Sequence, residues 1–291
     1  MQTLSILVSR HSAFYSPLIA TLAGPFLARE GLATRYGVLA PGATSREMLR
    51  MGKAHVIQSA VSSHFAPLEK GVTDLPVHFA QINCRDGFFL VRRSHEGEFE
   101  WRALEGRSLV ADHAGQPLGM LRYALRYNGV DLSRIEWIDA GTPEEMEAAF
   151  RSGRGEFAHF QSPVAHRLEE DGVGRVVASV GAAMPEVAFS SLCALPEFLE
   201  TDAADAFLRA YSAAREWVRS ADPAEVARME ASYFPDSSIA ALTTAVAAYQ
   251  GLGCWNGGIE ISRQHFEQAV EVFLASGAIT RRPGFEQVVR G

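Results

Sequence analysis

Leu4-Ser5-Ile6-Leu7-Val8 is a short apolar run, and from Phe14 to Glu30 apolar residues recur at helical spacing behind it. Gly31 stops that helix, and Ala33 to Leu39 returns as a second strand. Thr44 or Ser45 can cap a helix over Arg46 to Met51, Ala54 to Ala60 reads as a third strand, and a helix over Ser63 to Lys70 precedes a strand over Pro76 to Ile82. This βαβαβ rhythm predicts a parallel sheet covered by helices on both faces. A second unit of the same kind follows. Its strands are expected at 107–112, 135–140, 156–160 and 175–179, its helices at 115–128, 143–151 and 162–171. After Val187 the pattern changes: Phe189 to Ala194 looks like a strand, and from Glu200 onward the chain is nearly all helical. Asp222-Pro223 opens one of those helices with proline just inside its start.

At 291 residues the chain exceeds one ordinary core, leaving two lobes or one large domain open. Hydrophobic residues make up 47% and charged residues 21%, an ordinary globular balance that excludes extensive disorder. Lys and Arg total 27 against 34 Asp and Glu, a formal charge of −7 with no basic run, so a nucleic-acid partner is not expected. No stretch is long enough for a membrane span. Cys84, Cys193 and Cys254 form neither a paired framework nor a CxxC knuckle, and the nine histidines lack HxxxH or HExxH spacing. Neither a metal nor any other cofactor is therefore expected. With no basic segment before Leu4 there is no secretory signal, which predicts a cytoplasmic protein as the sequence stands, or a periplasmic one if the chain was trimmed to its mature start.

Several phrases, in order, carry a family resemblance. They are Pro17-Leu18 through Phe26-Leu27-Ala28-Arg29-Glu30-Gly31-Leu32, then Leu104-Glu105-Gly106-Arg107-Ser108-Leu109-Val110, then Met146 to Gly153 (MEAAFRSG). Glu200 to Ala221 and the ending Ala275-Ser276-Gly277-Ala278-Ile279 match in position. The chain resembles the sulfonate, nitrate and thiamine-precursor binding proteins, the NMT1/THI5-like group of type II periplasmic binding proteins. The resemblance implies an α/β fold with two lobes around a ligand cleft and a C-terminal helical block. It places lobe one at 1–88 plus 189–291 and lobe two at 89–188, with crossing segments near Asn83 to Arg93 and Pro185 to Leu195. It also implies a small-molecule ligand and an ABC permease as partner. Where the family reads Trp-Glu-Pro, this chain reads Gln161-Ser162-Pro163. Loss of that acid predicts a neutral or anionic ligand (a heterocycle, sulfonate or carboxylate) with Gln161 and Ser162 contributing.

Physical chemistry points to the same cleft, because helix N-termini present unpaired N–H groups and ligands gather at strand C-termini in open α/β sheets. Four loops join a strand to a helix start. Ser9 to Tyr15 offers Arg10, His11, Ser12 and Tyr15, a mixture suited to stacking and hydrogen bonding. Pro41 to Thr44 offers Thr44, although a turn with a capping threonine explains that loop equally well. Gln58 to Ser63 carries more polar groups than one cap requires, and singles out Gln58 and Ser59. Asp112 to Gln116 offers Asp112, His113 and Gln116, with Thr142 as a neighbour. Trp255 in its glycine-rich turn is expected to pack rather than line the cleft.

Catalysis is the alternative: a pyrimidine-precursor synthase, desulfinase or decarboxylase-like enzyme of the same fold, or an intracellular ligand sensor. Against an enzyme, Gln58 stands where the synthases carry a lysine, the early loop holds Ser12 and Ser16 but no cysteine, and no GxSxG anchors a triad from Ser12, His11 and Asp112.

Overall fold

Ten short strands form from the apolar runs, and their pairing divides the molecule. The computed structural model describes residues 2–40, 42–93 and 97–290. In chain order the strands are β1 (Gln2–Val8), β2 (Leu32–Val38), β3 (Val56–Ser59), β4 (Val77–Asn83), β5 (Phe88–Arg92), β6 (Ser108–Val110), β7 (Glu136–Ile138), β8 (Phe157–Gln161), β9 (Arg175–Ser179) and β10 (Ser190–Ala194). They make two five-stranded sheets, ordered β2-β1-β3-β10-β4 and β7-β6-β8-β5-β9.

Both sheets are mixed rather than purely parallel, and the exception in each has one cause. β1, β2 and β3 pair in parallel, whereas β10 is antiparallel to both β3 and β4. In the second sheet β6 is parallel to β7 and β8, and β5 is antiparallel to β8 and β9. The antiparallel strand is in each case the one the chain enters directly from the other sheet. Without a helical crossover to carry it back to the far end, it must start at the edge where its neighbours finish. The register shows this: Phe88, opening β5, sits opposite Gln161, closing β8, and Ser190, opening β10, sits opposite Asn83, closing β4. The C-terminal edges of the parallel strands therefore face each other across residues 84–87 and 180–189.

Two sequence expectations are corrected here. Phe88 to Arg92, read as part of a crossing segment, is a strand in the middle of the second sheet. The helix expected over Phe14 to Glu30 is also divided, into Ser16–Ala23 and Phe26–Arg29, where Gly24-Pro25 interrupts its hydrogen bonding.

The C-terminal helices hold both sheets. Helix Asp202–Ser220 packs on Ser16–Ala23, helix Ile239–Leu252 on Val164–Glu170, and helix Arg263–Ala275 on Gly115–Tyr127. Inside this block the buried Arg215 guanidinium donates to the carbonyls of Ile82 (2.5 Å) and Asn256 (3.1 Å), fixing the end of β4 just before the chain crosses. Trp255 is buried, and its indole N–H donates to the Phe14 carbonyl at 3.1 Å, a packing role as expected. Among the described residues no helix is long and apolar enough to cross a membrane.

Candidate functional site

Between the facing sheet edges lies a cavity of about 420 Å³, within the usual range for small-molecule sites. The residue after each strand decides what reaches it. Beyond β1 the chain presents Ser9 and Arg10; beyond β3 it presents Ala60, Ser62 and Ser63 next to Gln58 and Ser59. From the opposite sheet come Gln161, at the end of β8, and the start of helix Gly115–Tyr127. Phe88, Phe189 and Phe273 supply aromatic walls.

Arg10 is the cationic group of the cavity wall. Its guanidinium pairs with Asp112 from the other sheet and lies 5.6 Å from the Phe88 ring centroid. The second Asp112 oxygen accepts from the Ala114 amide at 2.9 Å, so one carboxylate ties the arginine to the mouth of a helix. That helix has Ala114 at its N-cap and no side-chain cap, which leaves the Gly115 and Gln116 amides (Pro117 has no N–H to offer) and the positive end of its dipole toward the cavity. Gln116 spans the gap: its carbonyl accepts from the Ser62 hydroxyl, and its amide nitrogen donates to the Phe189 carbonyl at 2.7 Å. Gln58 is committed locally, accepting from the Ser9 amide (3.0 Å) and hydroxyl (2.7 Å) and donating to Ser190 Oγ (3.2 Å). Burial pushes the Tyr15 hydroxyl above its ordinary pKa, with Arg10, Gln161 and Ser190 drawing it partly back. The Gln161 side-chain carbonyl has no hydrogen-bond partner among the described residues.

Of the thirteen residues singled out in the sequence, the fold brings Arg10, Tyr15, Gln58, Ser59, Gln116 and Gln161 to this cavity, with Asp112 directly behind Arg10. The other six do not line it, although Thr44 stands in the wall of an adjoining cavity. His11 does not line the cavity: it bonds Tyr36 Oη (2.5 Å) and the Tyr233 carbonyl (2.6 Å), and stacks on Phe234. Burial holds it below its usual pKa. Ser12 caps the turn Ala13–Tyr15 and donates to the Ser162 carbonyl at 3.0 Å; Ser162 Oγ meets His166 Nδ1 at 2.5 Å. His113 folds onto the Ala111 carbonyl at 2.8 Å. Thr44 and Thr142 each complete a capping box, with Glu47 and Glu145 respectively. Pro41, in the Thr44 loop, falls outside the described residues. Thr142→Ala is expected to cost about 1 kcal/mol in urea denaturation and to leave ligand affinity unchanged; a change in affinity would return Thr142 to the site.

Phe88, Phe189, Ser190 and Phe273 were not anticipated. The first three flank the passages between sheets, where a residue touches the cavity only because two distant strands meet there. Phe273 belongs to the last long helix. The triad drawn from Ser12, His11 and Asp112 is not assembled, since each is bonded to a different partner. All three cysteines are buried and unpaired, and burial raises their thiol pKa values, that of Cys193 to about 12. Among the described residues no three His, Cys, Asp or Glu side chains converge to hold a metal.

No family model matches the sequence. A protein of Bacillus subtilis (strain 168) named as a binding protein, YtlA, is 25% identical over 284 residues, covering 96% of this chain and 85% of its own length. The ligand-binding component of an ABC-type import system from Staphylococcus aureus superposes with a TM-score of 0.79 at 16% identity, covering 100% of this chain and 97% of that one. The periplasmic aliphatic sulphonate binding protein SsuA of Escherichia coli gives 0.74 at 14% identity, over 100% of this chain and 92% of that one. The fold is that of the periplasmic binding proteins.

Proposed function

We propose that this chain is the ligand-capturing component of an ABC-type import system, of the NMT1/THI5-like kind, and that it closes on a small anionic molecule. One observation carries the reading: a guanidinium and an uncapped helix N-terminus, from opposite sheets, meet in one cavity between them. Both favour negative charge, and a planar guanidinium with donors to spare can serve Asp112 and a ligand anion together. Serine hydroxyls supply neutral hydrogen bonds, and the phenylalanine rings accept an apolar body. In this reading lobe one is residues 1–88 with 189–291 and lobe two is 89–188. Ligand draws them together, and the closed pair presents itself to a permease. The name of the S. aureus protein supports import as the setting, and those of the E. coli protein and YtlA support binding.

Thermal-shift and calorimetric screening of small sulfonates, carboxylates, neutral heterocycles and amines tests this. A sulfonate or carboxylate at about one hundred times its Kd is expected to add about 2.7 kcal/mol and raise Tm by several degrees. A screen in which only cationic amines bind overturns the proposal.

A further inference from the structure

A second cavity, of about 450 Å³, adjoins the first and shares Ser9, Ser59 and Ser63 with it. Beyond those serines its wall changes character. Leu39, from the loop after β2, Pro67, from the short helix Phe65–Glu69, and Val72 and Leu75, from the loop before β4, line it. Its one cation is already matched, Arg46 being paired with Asp74 at 2.6 Å, and its one carboxylate, Glu47, accepts from Thr44 in the capping box. His64, also in the wall, is held neutral by burial, which lowers its pKa to about 4, and neither ring nitrogen has a hydrogen-bond partner. Among the described residues the space therefore offers apolar area and no free cation, while the cation available to a ligand and the helix terminus stay in the first cavity.

We propose that this annex takes the uncharged tail of the ligand whose anionic head sits at Arg10, so that the preferred ligand is an elongated amphiphilic monoanion. The inference rests on the reading of the first cavity as an anion site. It deepens that reading by adding a length and a polarity: a compact anion leaves the annex empty, and a second charge at the far end would be buried without a partner.

Calorimetric titration with straight-chain carboxylates and sulfonates of increasing length, and with the corresponding α,ω-dianions, decides the matter. Each added methylene is expected to tighten binding about three- to fourfold until the annex fills. A dianion of equal length is expected to bind about tenfold more weakly or worse than the monoanion. Val72→Trp, which fills the annex from its wall, is expected to lower affinity for the long chains about tenfold while the shortest anion binds as before. Ala43→Phe serves the same purpose if Val72→Trp does not fold. Affinity independent of chain length, or an equal loss for short and long anions in the filled variant, overturns the annex assignment alone. Failure of every anion to bind removes the anion site and the annex with it.

Discussion

Replacing Arg10 with alanine is expected to weaken binding of a small anion by about thirtyfold or more, because truncating one partner of a desolvated charge pair costs about 2–5 kcal/mol. Two losses combine. The ligand loses its counter-charge, and Asp112, which is buried, keeps only the Ala114 amide and turns its carboxylate on the incoming anion. Arg10→Lys should fall between wild type and alanine, since an ammonium cannot hold Asp112 and a ligand with the spread of donors a guanidinium has. The double variant Arg10→Ala/Asp112→Asn separates the two losses: stability in urea should recover, since no buried charge is left unpaired, while most of the affinity stays lost. If calorimetry finds Arg10→Ala binding anions like the wild type, the charge that attracts them lies elsewhere.

The legible part of the fold was its rhythm. β1, β2 and β3 alternate with Gly- and Ser-bounded helices, and their apolar runs announce them within a residue or two. β5 escaped for a physical reason. Its residues Phe88 to Val91 are buried on both faces, so Phe-Phe-Leu-Val shows no alternation, and it follows Cys84-Arg85-Asp86-Gly87, which reads as a connection. The site was readable where function follows from position in a single loop, as for Arg10 after β1 and Gln116 in the first turn of its helix. Which of two adjacent residues turns toward the cavity depends on the bends the chain takes at Ser9 and Arg10, a path that the order of residues alone does not specify. Thr142 looked like a ligand donor because a capping threonine and a binding threonine occupy the same kind of place, the loop ahead of a helix. Phe189 and Ser190 needed the pairing of strands more than a hundred positions apart, which local pattern does not contain.

Stability is expected to peak near neutral pH and to fall steeply on the acid side, because the core buries neutral histidines. His64, His159 and His166 are lowered by burial to about 4, 3 and 4, and His78 lies well below 6.5, pressed also by His64. Each takes up a proton in the unfolded chain near pH 6.5 but not in the folded one, so stability is complete above that pH and is lost as pH falls toward the folded values. His11 adds a smaller contribution of the same sign. Two buried carboxyls act oppositely. Burial raises Asp86 to about 8 and Glu230 well above its usual value, so their share is complete below the unfolded carboxyl range and drains away as pH rises. Between about pH 4.5 and 6, four protons on the unfolded side face two on the folded side, a slope of up to about 3 kcal/mol per pH unit and a loss of about 4 kcal/mol over that range, a large share of an ordinary domain's stability. Above neutrality the two carboxyls alone remain, and stability declines again as Asp86 ionises. Urea denaturation across this range measures both arms. His159→Phe keeps the stack on Phe88, 4.2 Å between ring centroids, and should remove one proton from the acid arm; Asp86→Asn should flatten the alkaline arm and stabilise the protein at pH 8. An acid arm that His159→Phe leaves unchanged would mean that water reaches this imidazole in the folded protein, and that the floor behind Arg10 and Asp112 is not the dry surface from which the strength of their pairing is argued.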